Sequence, residues 1–595
     1  VTASFGSAAR QKEFALVESL SVVNSGDYDY DIAIRGGELI DGSGQPRRRA
    51  DLGIRDGRVV AIGALAGRAR QTLEADGRVV CPGFVDIHTH YDAQVLWDPM
   101  LTISPWHGVT TVVMGNCGFG IAPTRPAHRD LILQTLERVE GMSLAALQAG
   151  IGPAWPFESF PEFMDALERR PLGINVAAMV GHTPLRLWVM GEAATERAAT
   201  PDEIARIRQL VVEAMDAGAV GFATSVSKIH IGYGGLPVPS RLAEFDEMLA
   251  IADGLAEAGH GVFHYNVGRD PRWDEFEALH RRSGRPVVWT ALLAGSLGPG
   301  SHVAQLAKAA EQRARGLPIH PQGACRPIMV EFDFRSPVIF DTWASFEALR
   351  KAAGDAERRA VYADPAFRAR VRRQAQGAGP DDAWFMGKSA EGDSRRATLR
   401  RSCISWSEDH SLIERPLFEL AAERGVDPID LMFDLALASD LRLRMRTALL
   451  NDDEGEVREI ITDPNVLIGL GDGGAHLSQL CDACYATHLL GHWVRGRGAM
   501  TLEEGIHQLT GKPAAIFGLH DRGRLAVGLP ADVVVLDPAT VGAGPLERIH
   551  DLPAGADRLI SRASGIEAVI VNGVRLPPPG QPASQASGRL LRQRR

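Results

Sequence analysis

The chain has 595 residues, more than one average domain, and its 45% apolar and 23% charged content is that of a globular enzyme. A net charge of −10 argues against nucleic acid as the main partner, and no apolar run is long enough to span a bilayer. Six cysteines in this length do not make a disulfide scaffold and no secretory signal is visible, so a cytoplasmic protein with reduced thiols is expected.

Residues 1–28 mix Ser, Gly and charge without a period and read as a loose arm or a partner-contacting extension. From Asp31 the pattern sharpens. Asp31–Arg35 alternates, Gly36-Gly37 turns, and two further alternating runs, Asp51–Ile54 and Arg58–Ile62, flank Asp56-Gly57, a hairpin signal. β-like runs return late, at Arg524–Gly528, Ala531–Asp537 and Ala568–Gly573. Residues 29–83 and 516–576 are therefore expected to form one small, discontinuous β-sandwich domain drawn from both chain ends. The Pro-, Gly-, Ser- and Arg-rich stretch 577–595 reads as a flexible tail, mobile or laid over a neighbour.

Between these ends, strand-like and helix-like stretches alternate. Eight candidate strands are Phe84–His90, Val109–Cys117, Ile174–Gly181, Ala219–Ser225, Gly261–Val267, Pro286–Leu292, Leu317–Cys325 and Val466–Asp472. Helical patterns follow several of them. Thr200, Pro201 and Glu203 make a capping box that opens a helix over Ile204–Ala217. Strand–helix repetition implies parallel strands, and eight of them imply an α/β fold, a (β/α)8 TIM-like barrel over 84–515. The long connection at about 327–465 is expected to be a helical insertion, with helices at Pro365–Gln376 and Pro416–Arg424, that caps the site.

In such a barrel the chemistry gathers at the C-terminal ends of the strands. His88 and His90, two apart on a strand, project to the same side at the end of strand one. Cys117 ends strand two and Asp472 ends strand eight. A thiolate, two imidazoles and a carboxylate at one rim make a metal site, with one or two Zn²⁺ or another divalent ion. The bland alternatives are a chance His-x-His and a merely buried cysteine. A metal there would polarise a carbonyl and acidify water, and Asp472 would act as base, giving hydrolysis of a C–N bond. Lys228, His230, Arg326 and His476 lie near the expected rim as substrate contacts. Lys228 or Arg326 is the cation for a carboxylate, with a solvated or lid-contacting role as the alternative. Cys481 and Cys484 have Cys-x-x-Cys spacing on a presumed helix, but a lone pair is weak evidence for zinc or redox chemistry. His488 and His492 could share a face of that helix.

Pro82–His90 and Gly108–Gly118 resemble the D-aminoacylase (N-acyl-D-amino-acid deacylase) family of the amidohydrolase superfamily. Val180-Gly181-His182-Thr183 with Leu185-Arg186, and Gly523–Asp532, fit as well. The resemblance runs from about Asp31 to Val571. It implies a zinc-dependent barrel with a small β domain, His88, His90 and Cys117 as metal ligands, and Asp472 as ligand and catalytic base. It also marks His182 as a substrate or supporting contact. Two family histidines have no direct match. Asn266 stands at the end of strand five, with His264 two residues earlier on the same side as a substitute ligand. Strand six, Val288–Leu292, carries no histidine, and strand four carries Thr224 where a bridging lysine would sit. The expected activity is hydrolysis of an N-acyl amino acid or a related small amide. A cyclic amide, imide or lactam is the near alternative. A catalytically lapsed binding or assembly protein is the alternative of another class. The expected partner is a small-molecule substrate, with homo-oligomerisation possible and neither nucleic acid nor membrane involved.

Overall fold

A computed structural model describes residues 28–268, 271–340, 343–376, 399–581 and 586–593. The expected N-terminal arm lies almost wholly outside them. The chain folds as a mixed α/β protein. Tyr30–Arg35 runs antiparallel to Asp51–Arg55, with Ile32 opposite Ile54, and parallel to Ala69–Glu74; Arg58–Gly63 completes a four-stranded sheet. The hairpin at Asp56-Gly57 forms as expected, with both residues at positive φ, 51° and 74°.

A second, six-stranded sheet joins the two ends of the chain. Val533–Leu536 lies between Val79–Pro82 and Ile566–Val571, antiparallel to both. Ile34, Leu52 and Ile54 of the first sheet share a buried cluster with Val80, Val533 and Ile570 of the second.

The eight expected strands are present and parallel, in shorter form. Strand one is Phe84–Asp86, strand two Val109–Met114, and strand three Asn175–Ala178, continuing as Val180–Gly181. Strand four is Gly221–Ser225, strand five Val262–Asn266, strand six Val287–Leu292, strand seven Ile319–Gly323 and strand eight Leu467–Ile468. Each pairs with its neighbours in order, strand three passing from strand two to strand four at its break. Past the strand ends, Thr89 bridges Gly473, and His88 O accepts from Asp472 N at 3.0 Å. The strands are shorter than expected because the backbone turns at the rim, where Gly115 and Cys117 take left-handed φ of 88° and 54°.

Helix Pro201–Asp216 begins with the expected capping box of Thr200 and Glu203. The segment between strands seven and eight departs from its expected all-helical form. It holds helices at Pro365–Ala375 and Leu417–Arg424, but also an antiparallel sheet in which Arg444–Leu450 lies between Ile328–Asp333 and Cys403–Trp406. Phe332, Phe346, Phe367 and Phe433 anchor a buried cluster of its own. Within the stretch read as mobile or laid over a neighbour, residues 586–593 pack on the protein. Gly588 N donates to Leu172 O at 2.8 Å, Leu591 N donates to Val176 O at 2.7 Å, and Arg592 pairs with Asp165 and Glu168. Composition foretells mobility only where nothing offers backbone partners, and the edge of strand three offers them here. Among the described residues no helix is long and apolar enough to cross a membrane.

Candidate metal centre

His88, His90 and Cys117 are buried together, with one donor atom of each within 4.8 Å of the others. His88 Nδ1 lies 2.7 Å from Gln322 Oε1. That contact places the proton on Nδ1 and turns the Nε2 lone pair inward. Nε2 then meets Cys117 Sγ at 3.6 Å and Asp472 Oδ1 at 3.2 Å. His90 Nε2 is 3.7 Å from the same Asp472 oxygen. Burial, with His90 second, pushes the His88 pKa down to about 3, so its contact with Asp472 is not an ion pair. An imidazole lone pair, a sulfur and a carboxylate turned toward one another are what a shared cation would bring together. Sulfur, two nitrogens and an oxygen are a donor set that suits zinc.

Other residues hold this set in place. Glu140 ends helix Arg129–Glu140 and brings Oε1 to 3.1 Å from His90 Nδ1, without the alignment of a hydrogen bond. Burial disfavours charge on both residues. Their mutual attraction outweighs it, raising the His90 pKa and lowering that of Glu140. Asn266 Nδ2 donates to Cys117 Sγ at 3.0 Å, and its Oδ1 accepts from Gly268 N at 3.0 Å, which fixes the amide's orientation. Burial raises the Cys117 pKa, while His90 and Asn266 oppose that shift. Burial likewise raises the Asp472 pKa against the attraction of His90.

His264, the expected substitute ligand, stands outside the donor cluster. Its Nε2 is 2.8 Å from Thr290 Oγ1, which donates on to Gln322 Oε1 at 3.3 Å. The strand-five and strand-six side chains thus reach His88 through Gln322.

The expected substrate contacts separate. His230 sits by the centre, bonded to Ser225 Oγ at 2.7 Å and edge-on to Phe119 at 5.0 Å. Phe119, with His90, Glu140 and Gly474, lines a cavity of only about 10 Å³. His476 follows Asp472 and donates its backbone N–H to Glu140 O. Lys228 is exposed. Arg326 is committed elsewhere, donating from Nε to Asp482 Oδ1 at 3.0 Å. His182 is wholly buried, with its nitrogens 2.8 Å from both Thr224 Oγ1 and Glu247 Oε1, so no face is left for a substrate. Cys481 and Cys484 are free thiols in a turn before helix Tyr485–His488, not on it. The rings of His488 and His492 do share a face, stacked at 4.8 Å.

Sequence reasoning missed Glu140 and Gln322. Gln322 carried a faint signal, because His320 and Gln322 alternate on strand seven. Glu140 carried none.

Residues 71–576 match the Amidohydrolase family. D-aminoacylase of Alcaligenes xylosoxydans xylosoxydans is 31% identical, over 94% of this chain and 97% of its own length. N-acyl-D-glutamate deacylase of the same organism is 32% identical, over 94% and 96%. The crystal structure of N-acyl-D-glutamate deacylase from Bordetella bronchiseptica, complexed with zinc and a phosphonate inhibitor, superposes with a TM-score of 0.62 at 28% identity, covering 95% of this chain and 100% of that one. These likenesses imply a TIM-barrel-type domain. With its metal-ready rim and this match over most of its length, the chain belongs to the amidohydrolase family.

Proposed function

We propose that this protein is a zinc-dependent hydrolase of N-acyl-D-amino acids. The observation that carries the reading is the convergence of His88, His90 and Cys117 with the Asp472 carboxylate. The deacylase names of its full-length relatives, and the zinc in one of them, support the substrate class and the metal. His88, His90, Cys117 and Asp472 would hold the ion. When bound, zinc supplies Lewis acidity at the scissile carbonyl and lowers the pKa of water to roughly 7.

The chain's own groups do the rest. Asp472 takes the proton of the attacking water and passes it to the leaving nitrogen, its affinity for that proton raised by burial. Gln322 and Glu140 orient His88 and His90, and Asn266 steadies the Cys117 sulfur. His230 and Phe119 pack edge-on beside the centre. The same reading takes the eight strands as one closed (β/α)8 barrel over 84–515. It takes 29–83 and 516–576 as one discontinuous β sandwich, with 327–465 as a mixed insertion.

The test combines elemental analysis with hydrolysis of N-acyl-D-amino acids. The purified protein is expected to carry about one zinc or more per chain and His88→Ala to lose it. Asp472→Asn is expected to lower kcat by about 10²–10⁴-fold. A metal-free protein whose activity is unchanged in Asp472→Asn overturns the proposal.

A further inference from the structure

A cavity of about 730 Å³ lies far from the candidate metal centre. Its walls include Leu317 and Ile319 at the start of strand seven, and Pro464 and Asn465 leading into strand eight. The metal-centre residues follow the opposite, C-terminal ends of the strands. Arg313 at the end of helix Ser301–Ala314 and Lys512 on helix Gly511–Ile516 both line this cavity.

Neither cation forms an ion pair with a carboxylate among the described residues. Lys512 Nζ donates to Val466 O at 2.6 Å, and Arg313 reaches only Pro464 O and Asn465 Oδ1, at 3.4 and 3.3 Å. Burial pushes the Lys512 pKa down to about 8, with Asp463 favouring its charge and Arg313 opposing it. The nearby acids are occupied. Asp463 Oδ1 accepts from Asn465 N at 2.7 Å, and Glu504 Oε2 accepts from Thr501 N and Oγ1 at 2.7 and 2.8 Å. His320 is neutral at physiological pH, its pKa pushed down to about 4 by burial and by Lys512. Gln508 also lines the cavity. Leu317, Ile319, Ile461, Met500 and Ile516 supply an apolar floor.

A half-buried ammonium with no carboxylate in direct contact is costly unless something neutralises it. We propose that this cavity is a second binding site that takes an organic carboxylate. Its oxyanion would lie between Arg313 and Lys512, and its apolar body against Leu317, Ile319, Ile461 and Ile516. The assignment does not rest on the hydrolase reading.

Isothermal titration with octanoate, octylamine and inorganic phosphate tests it on the intact protein at pH 7. Octanoate is expected to bind and octylamine is not. Lys512→Met keeps most of the aliphatic stem and removes the ammonium together with its bond to Val466 O; Arg313→Met changes an exposed position. Each variant is expected to weaken octanoate at least tenfold with zinc content and melting temperature held. Four outcomes overturn the site: binding of neither octanoate nor phosphate, octanoate binding unchanged in both variants, equal binding of octylamine, or octanoate binding lost in His88→Ala but kept in Lys512→Met. Phosphate binding without octanoate binding overturns the carboxylate assignment and leaves an inorganic oxyanion there.

Discussion

At the scale of single residues, the centre depends on groups that never need to touch the substrate. Asn266 stands where the deacylase pattern has a histidine, and it turns its N–H toward Cys117 rather than offering a lone pair. An amide N–H beside sulfur favours the thiolate, the form that binds metal. Glu140 acts on His90 by position: its Oε1 lies 3.1 Å from Nδ1 and favours a proton there, which leaves Nε2 as the nitrogen for a metal. Asn266→Ala and Glu140→Gln are each expected to weaken zinc by about 10–100-fold. Competition with a chromophoric chelator reads this, with circular dichroism to confirm the fold; unchanged affinity in both variants would leave His88, His90, Cys117 and Asp472 sufficient alone. Sequence pattern made the candidate ligands legible, because His-x-His has strand spacing and Cys117 and Asp472 follow strands two and eight. Glu140 was not legible. It closes a helix with no motif and reaches His90 only through tertiary packing.

At the scale of elements, a buried network ties helix His182–Met190 to helix Phe245–Ala258. Glu247 accepts from His182 and from Arg186, and all three side chains are fully buried. Burial opposes the Glu247 charge, but His182 and Arg186 outweigh it and hold the carboxyl below its usual value of 4.5. Burial likewise lowers the His182 pKa below 6.5, so the ring is neutral and donates an ordinary N–H. Both folded values lie below the unfolded ones. The stabilisation is therefore present above about pH 6.5 and declines as pH falls, first through His182 and then through Glu247. Glu247→Ala strands a buried guanidinium and is expected to cost about 3–5 kcal/mol in urea unfolding at pH 7. A loss below 1 kcal/mol would mean that Arg186 finds another partner. His182 was legible as important, but its role was not: one sequence does not say whether a motif histidine faces a cavity or a carboxylate. The strands were legible for the opposite reason, since parallel strands buried on both faces leave runs rich in apolar and β-branched residues, such as the fully buried Val-Thr-Thr-Val-Val-Met of Val109–Met114. The insertion's sheet was hidden because Ile328–Asp333 finds its partner only at Arg444–Leu450, after every intervening helix.

At the scale of the whole molecule, the two chain ends are sewn to the middle. The late strand Val533–Leu536 enters the sheet of Val79–Pro82, directly before strand one. The tail then returns to strand three. Asn572 Nδ2 donates to Asn175 Oδ1 at 2.8 Å and to Ser587 O at 2.7 Å, joining the late β segment, the start of strand three and the tail at one residue. Leu590 bridges Val176, whose carbonyl accepts from Leu591 N at 2.7 Å. Arg592 adds Ala217 O at 2.7 Å to its two carboxylates, which are themselves more than half exposed, so its ion pairs contribute little and the backbone contacts more. Removing residues 586–595 is therefore expected to cost about 1–3 kcal/mol, the scale of one buried leucine and a few net hydrogen bonds, and to lower the melting temperature by a few degrees. Zinc content should not change, because the tail meets Asn175 and Val176 at the start of strand three, whereas the donor groups lie past the opposite strand ends. Differential scanning calorimetry and elemental analysis on the same truncated sample separate the two effects. An unshifted transition would show that the tail rests on strand three without stabilising it; loss of zinc together with the shift would mean that strand three carries strain from its start to the rim, and that the two ends of the strands are not energetically independent.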